Sequence, residues 1–145
     1  MNQPDLTRDS IREIAYGFQR SRVLLTAYEL GIFSALGDRR EPSDTVAQKL
    51  GTNARATDRL MNALAAMGLL EKEEGMFRNS PSGLKFLLPS SPDYISGLMH
   101  TAHLWDTWST LTDAVKAGTA VPDQRPRKAD PAKLKTVLRH PIEKT

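Results

Sequence analysis

Residues 54–88, ARATDRLMNALAAMGLLEKEEGMFRNSPSGLKFLL, place a helix, two short strands around a charged turn, and a newly capped helix in immediate succession. Ala56, Leu60, Ala63, Leu64 and Met67 recur at three- and four-residue spacing, which sets them on one face of a helix. Gly68 stands where that helix should end, because glycine takes the left-handed conformation there without a Cβ clash. Leu69-Leu70 then opens a strand, Glu73-Glu74-Gly75 turns it, and Met76-Phe77-Arg78 returns. Helix, strand, turn, strand, helix is the second half of a winged helix. The expected fold is therefore mostly α, a winged-helix domain with a two-stranded wing, with Met67 and Phe77 in its core.

Earlier in the chain, Asp9 or Ser10 can cap a long first helix that reaches about Leu30. Ile11, Ile14, Phe18, Leu25 and Tyr28 form one stripe on it, interrupted by Ser21 and Arg22, while Tyr16, Val23, Leu24 and Ala27 form a second patch. A helix with two apolar faces must bury both, so it calls for a partner beyond its own small domain. Gly31 breaks it, and Ile32 to Leu36 makes another turn or two before Gly37. Ser43 is placed to cap a helix over 44–50 that Gly51 ends, Asn53 or Thr52 to cap the next, and Ser80-Pro81 to start a short helix through Leu87. Pro89-Ser90-Ser91-Pro92 reads as a hinge, after which Asp93 is expected to restart a helix running to about Lys116. On that helix Ile95, Leu98, Met99 and Ala102 share one face, and Leu104, Trp108, Leu111 and Val115 lie near the opposite one.

Charge narrows the function classes. The net charge is +3, but residues 1–120 carry 13 Lys/Arg against 14 Asp/Glu, and residues 121–145 carry 7 against 3. The basic excess belongs to a tail with Pro122, Pro126, Pro131 and Pro141, expected to be extended or disordered. The domain expected over 1–120 has no basic face by count. Arg55, Arg59 and Asn62 occupy the positions from which a winged-helix regulator would read DNA, yet Asp58 between them and Glu71, Glu73 and Glu74 in the wing would repel phosphate. A DNA-binding regulator is thus the weaker alternative. Cysteine is absent, which excludes a disulfide framework and a thiolate metal site. The polar start MNQPDLTRDS lacks a signal-peptide core and no run approaches spanning length, so a cytoplasmic chain without membrane contact is expected. His100, His103 and Asp106 lie three residues apart in turn, but helix twist spreads them over about 120° and no fourth ligand accompanies them, so no metal site is expected.

GIFSAL at 31–36, VAQKLGTNARATDRLMNALAAMGLLEKEEGMFRNSPSGLKFLLPSSP at 46–92 and HLWDTWSTLTDAVKAG at 103–118 carry a resemblance. Over about residues 10–120 the chain resembles the N-terminal dimerisation domain of S-adenosylmethionine-dependent small-molecule O-methyltransferases, of the plant phenylpropanoid, hydroxyindole and bacterial polyketide types. The resemblance implies long flanking dimerisation helices and a homodimer formed by helix exchange. Ile14, Phe18, Leu24, Leu25, Tyr28 and Trp108 are its candidate interface residues. It further implies that the helix beyond the hinge lines the acceptor pocket. Met99 and Leu104 take positions that face substrate in some members, with His103 and Trp105 beside them. In the intact enzyme a methyl group would pass from S-adenosylmethionine to a hydroxyl of a small aromatic or polyketide-like substrate.

Such enzymes bind the cofactor on a loop of closely spaced glycines, which lets backbone N–H groups and a helix N-terminus approach the ligand. Here the closest glycines, Gly31 and Gly37, are six residues apart. The chain is therefore expected to hold neither a cofactor-binding nor a catalytic residue and to be inactive alone. It reads as a fragment or frameshifted product, with a stand-alone dimerisation partner of a methyltransferase as the other possibility.

Overall fold

The computed structural model describes residues 3–121; beyond Val121 the expected tail lies outside the described residues. The described elements are α1 (Arg8–Leu30), α2 (Ile32–Leu36), α3 (Ser43–Leu50), α4 (Ala54–Ala66), β1 (Leu70–Glu73), β2 (Met76–Asn79), α5 (Pro81–Phe86), α6 (Leu98–Trp108) and α7 (Leu111–Ala117). The fold is mostly α with one two-stranded antiparallel sheet, a winged helix. The chain divides into two units between Asp106 and Thr107. The first carries α1 to α5 and most of α6; the described part of the second holds the end of α6, and α7.

Local chemistry sets most boundaries. Thr7 caps α1, its Oγ1 accepting from the Ser10 backbone N–H at 3.1 Å, a little earlier in the chain than the Asp9 or Ser10 cap expected. Asn53 caps α4 and Ser80 caps α5, each by accepting a backbone N–H three residues on. Ser43 is not a cap. It is the first residue of α3, behind Pro42, and its hydroxyl donates to Asp58 Oδ1 at 2.7 Å. In the wing, Leu70 pairs with Asn79 and Glu73 with Met76, so Glu74-Gly75 forms a two-residue turn. Both turn residues have positive φ, 50° and 76°, which matches the right-handed twist of the strands they join.

A third backbone segment joins the wing. Glu41 and Phe77 exchange N–H···O bonds of 3.0 and 2.8 Å, which anchors the loop before α3 to β2. Asn79 reinforces that junction from within: its Nδ2 donates to the carbonyls of Phe33 and Gly37 at 2.9 and 2.8 Å. The helix–sheet approach is close enough to require glycine at position 83, where a Cβ would stand 2.8 Å from the Leu69 carbonyl oxygen.

The core is built from Ala27, Ile32, Phe33, Leu36, Val46, Met61, Leu64, Leu70, Phe77 and Leu87. It corrects the expected face of α4. Thr57, Met61 and Leu64 are the buried residues, whereas Ala56 is exposed and Met67 only half-buried. Thr57 is admitted because its hydroxyl pairs with that of Thr52 at 2.6 Å, so a polar side chain sits on the inner face at little cost. The helix expected over 93–116 is also corrected. Residues 89–97 are turns and irregular chain, with Ile95 N–H bonded to the Phe86 carbonyl, and α6 starts only at Leu98. The helical run breaks again at Ser109-Thr110, where both the amide and the hydroxyl of Thr110 bond back to the Thr107 carbonyl.

Candidate dimerisation interface

Helix α1 has two halves with different surroundings. From Val23 to Tyr28 it packs on the core: Leu25 and Ala27 are buried, and Val23, Leu24 and Tyr28 are half-buried. Residues 8–21 bury no side chain at all. Ile11, Ile14 and Phe18 are 56%, 71% and 56% exposed, and Tyr16, on the other side of the helix, is 59% exposed. At 1.5 Å per residue this arm is about 20 Å long. A helical arm of that length without tertiary contacts is marginal in water, because nucleation is costly and isolated helices need more than a dozen residues.

The interface candidates therefore separate. Ile14 and Phe18 lie on the exposed arm; Leu24 and Tyr28 are half-covered by the core at its base. Leu25 corrects the expected stripe: at 3% exposure it is a core residue of the single chain and offers no surface to a second one. The stripe ran through it because period alone cannot tell where along a helix the covering body changes. Trp108 is 68% exposed and lies beyond the division, in the second unit.

The acceptor-wall candidates share one short helix. Met99, His103 and Leu104 are exposed on α6, while Trp105 is half-buried. Ala102 is the buried residue of this helix. The guanidinium of Arg22, read in the sequence only as an interruption of the apolar stripe, lies over the Trp105 ring at 5.2 Å from its centroid. Nearby, the hydroxyls of Tyr28 and Tyr94 are hydrogen-bonded, with their rings stacked 6.4 Å apart. These two tyrosines line a cavity of about 190 Å³ with Phe33, Leu87 and Pro89. A second, more polar cavity of about 290 Å³ lies beside the wing, between Asp38, Glu71, Arg78 and Asn79. Neither cavity is lined by Met99, His103, Leu104 or Trp105.

Among the described residues no group of three His, Asp or Glu side chains could hold a metal, and no helix is long and apolar enough to cross a membrane. Of the would-be DNA-reading residues, Arg55 and Arg59 are exposed and Asn62 is engaged within the chain, its amide donating to Asp58 and accepting from Lys72 Nζ; in the wing Arg78 pairs with Glu71, and Arg40, in the loop before α3, pairs with Glu73. Glu41 sits between Lys49 and Arg39, and the bond from Lys49 is the main reason its carboxyl titrates below the ordinary range.

Comparison with known proteins gives this arrangement a family. Residues 12–89 match the model of the O-methyltransferase dimerisation domain. The chain is 34% identical over 118 residues to the tetracenomycin polyketide synthesis 8-O-methyl transferase of Streptomyces glaucescens, which covers 79% of this chain and 35% of that protein. It is 33% identical over 116 residues to acetylserotonin O-methyltransferase of Gallus gallus, covering 74% and 34%. Among solved structures, PigF with SAH superposes with a TM-score of 0.70 at 30% identity, covering 77% of this chain and 34% of that one. Human N-acetylserotonin methyltransferase in complex with SAM also gives 0.70, at 27% identity, covering 81% and 36%. The chain thus spans about a third of the length of these relatives. A winged helix with an uncovered, two-faced helical arm, matched along residues 12–89, belongs to the O-methyltransferase dimerisation domain family.

Proposed function

We propose that this chain forms a homodimer in which the exposed half of α1 exchanges onto a second copy, and that α6 supplies one wall of an acceptor pocket in a methyltransferase. The observation that carries the reading is the arm over residues 8–21: fourteen helical positions without a buried side chain, bearing Ile11, Ile14, Tyr16 and Phe18. Water neither stabilises such a helix nor tolerates those side chains at no cost. A second copy presents the same surface and closes the contact by two-fold symmetry. Trp108 is a further interface candidate, and 121–145 is assigned to an appendage outside the domain.

The acceptor would be a small hydroxylated aromatic or polyketide-like molecule, against which Met99, His103, Leu104 and Trp105 provide apolar and aromatic surface. The methyl donor would be S-adenosylmethionine in the parent enzyme. This chain's residues do not fit that cofactor, since no glycine-rich loop occurs in its sequence. Donor binding and the proton transfer from the acceptor hydroxyl are accordingly assigned to residues other than these.

Hydrogen exchange tests the arm. Amides of residues 8–21 should be protected at micromolar concentration and lose protection on dilution, while those of α4 stay protected throughout. Fast exchange of 8–21 at all concentrations would remove the reading.

A further inference from the structure

Arg22 interrupts the apolar stripe of α1 just where the buried half of that helix begins, and the interruption has a structural use. Its Nε donates to Thr26 Oγ1 at 3.0 Å and its Nη2 to Glu29 Oε2 at 2.8 Å. Both acceptors lie on α1 itself, about one and two turns further on, so the planar guanidinium is held by its edge and its face is left to Trp105. Arg22 is 34% exposed and Trp105 half-buried, a setting in which a cation over an indole is stronger than in open water.

Helix α6 meets the rest of its unit along one side. Leu98, Ala102 and Trp105 recur at four- and three-residue spacing and form its inner side: Leu98 packs on the core, Ala102 is buried, and Trp105 lies under Arg22. Met99 and His103 fall on the outer side and are exposed. Ala102 is its one buried side chain, so the large half-buried side chains set the face that the helix turns to α1. We propose that Arg22 is a positioning residue: by holding the indole plane of Trp105 against α1, it fixes the rotation at which α6 presents Met99, His103 and Leu104 to the acceptor. The inference rests on the acceptor-wall reading of α6 and assigns a residue of α1 to it.

The chain's two tryptophans, Trp105 and Trp108, give two indole N–H signals in a proton–nitrogen correlation spectrum, assigned with Trp105→Phe. Trp108, on the last turn of the same helix, reports whether α6 as a whole moves. Arg22→Gln should move and broaden the Trp105 signal and leave the thermal midpoint in place. Glu29→Gln, which keeps the cation but releases its edge, should give a smaller change of the same kind. Naphthol, titrated as a hydroxylated aromatic probe and followed at Trp105, should bind about two- to fivefold more weakly to Arg22→Gln. An unchanged Trp105 signal, or naphthol binding indifferent to Arg22→Gln, would overturn the role of Arg22 and leave the acceptor wall standing. No naphthol binding by the unsubstituted chain would overturn both.

Discussion

Placing a charge at two points of the α1 arm separates self-association from folding. In Ile14→Asp/Phe18→Asp the two side chains removed are 71% and 56% exposed in the single chain, so neither contributes much to its core. Fully burying such a side chain stabilises by about 1.5–3 kcal/mol, and the fractions still open to cover correspond to roughly 3 kcal/mol for the pair. A two-fold interface counts the loss in each subunit, or about 6 kcal/mol per dimer. At 1.4 kcal/mol per tenfold, Kd should rise by about four decades. Leaving two carboxylates against apolar surface pushes in the same direction. Sedimentation equilibrium over a wide concentration range measures the shift. Circular dichroism at a concentration where both proteins are monomeric checks that the winged helix is intact. An unchanged Kd in a folded double variant would refute the reasoning, since it would mean that the arm is not what the second copy covers.

Three further outcomes follow from the fold. Gly83→Ala sets a methyl 2.8 Å from the Leu69 carbonyl and should cost about 1–3 kcal/mol, read as a lower urea midpoint, although alanine is the better helix former. Asn79→Leu removes the donor to the Phe33 and Gly37 carbonyls and should cost about 1–3 kcal/mol in the same assay, because both acceptors lie at a buried junction. Glu41 is held below its ordinary pKa chiefly by its bond from Lys49, so its stabilising contribution is present above the unfolded value, near 4.5, and is lost as pH falls through the lower folded value. Glu41→Gln should therefore lower the thermal midpoint at neutral pH and make its decline in acid less steep; equal slopes for both proteins would contradict the assignment.

The wing and the caps of α4 and α5 were legible because they rest on local chemistry, whereas the caps expected for α1 and α3 fell on the wrong residues. Glu74-Gly75 can both take positive φ, and Ser80-Pro81 joins a capping hydroxyl to a residue suited to the first helical position. The arm was legible in part: two apolar faces on one helix announced a partner, but not that the first fourteen positions stand clear while Leu25 is buried in its own chain. What escaped depends on contacts distant in sequence. The Glu41–Phe77 bridge joins residues 36 apart through backbone groups that carry no side-chain signature. Thr57 stood outside the expected apolar face of α4; its bond to Thr52 admits it to the inner side with Met61. The break between α6 and α7 has no glycine or proline to mark it, only hydroxyl side chains competing for a carbonyl. Arg22 looked like a fault in a stripe because Trp105, which explains it, lies 83 residues away.

The mass of the unsubstituted chain in solution, by light scattering at increasing dilution from micromolar concentration, tests the proposed dimer most directly. Twice the 16.1 kDa of one chain, falling toward a single mass only on strong dilution, is the predicted result. A well-behaved species of one chain's mass at every micromolar concentration would contradict it, and would leave the arm of α1 without the second copy proposed to cover it.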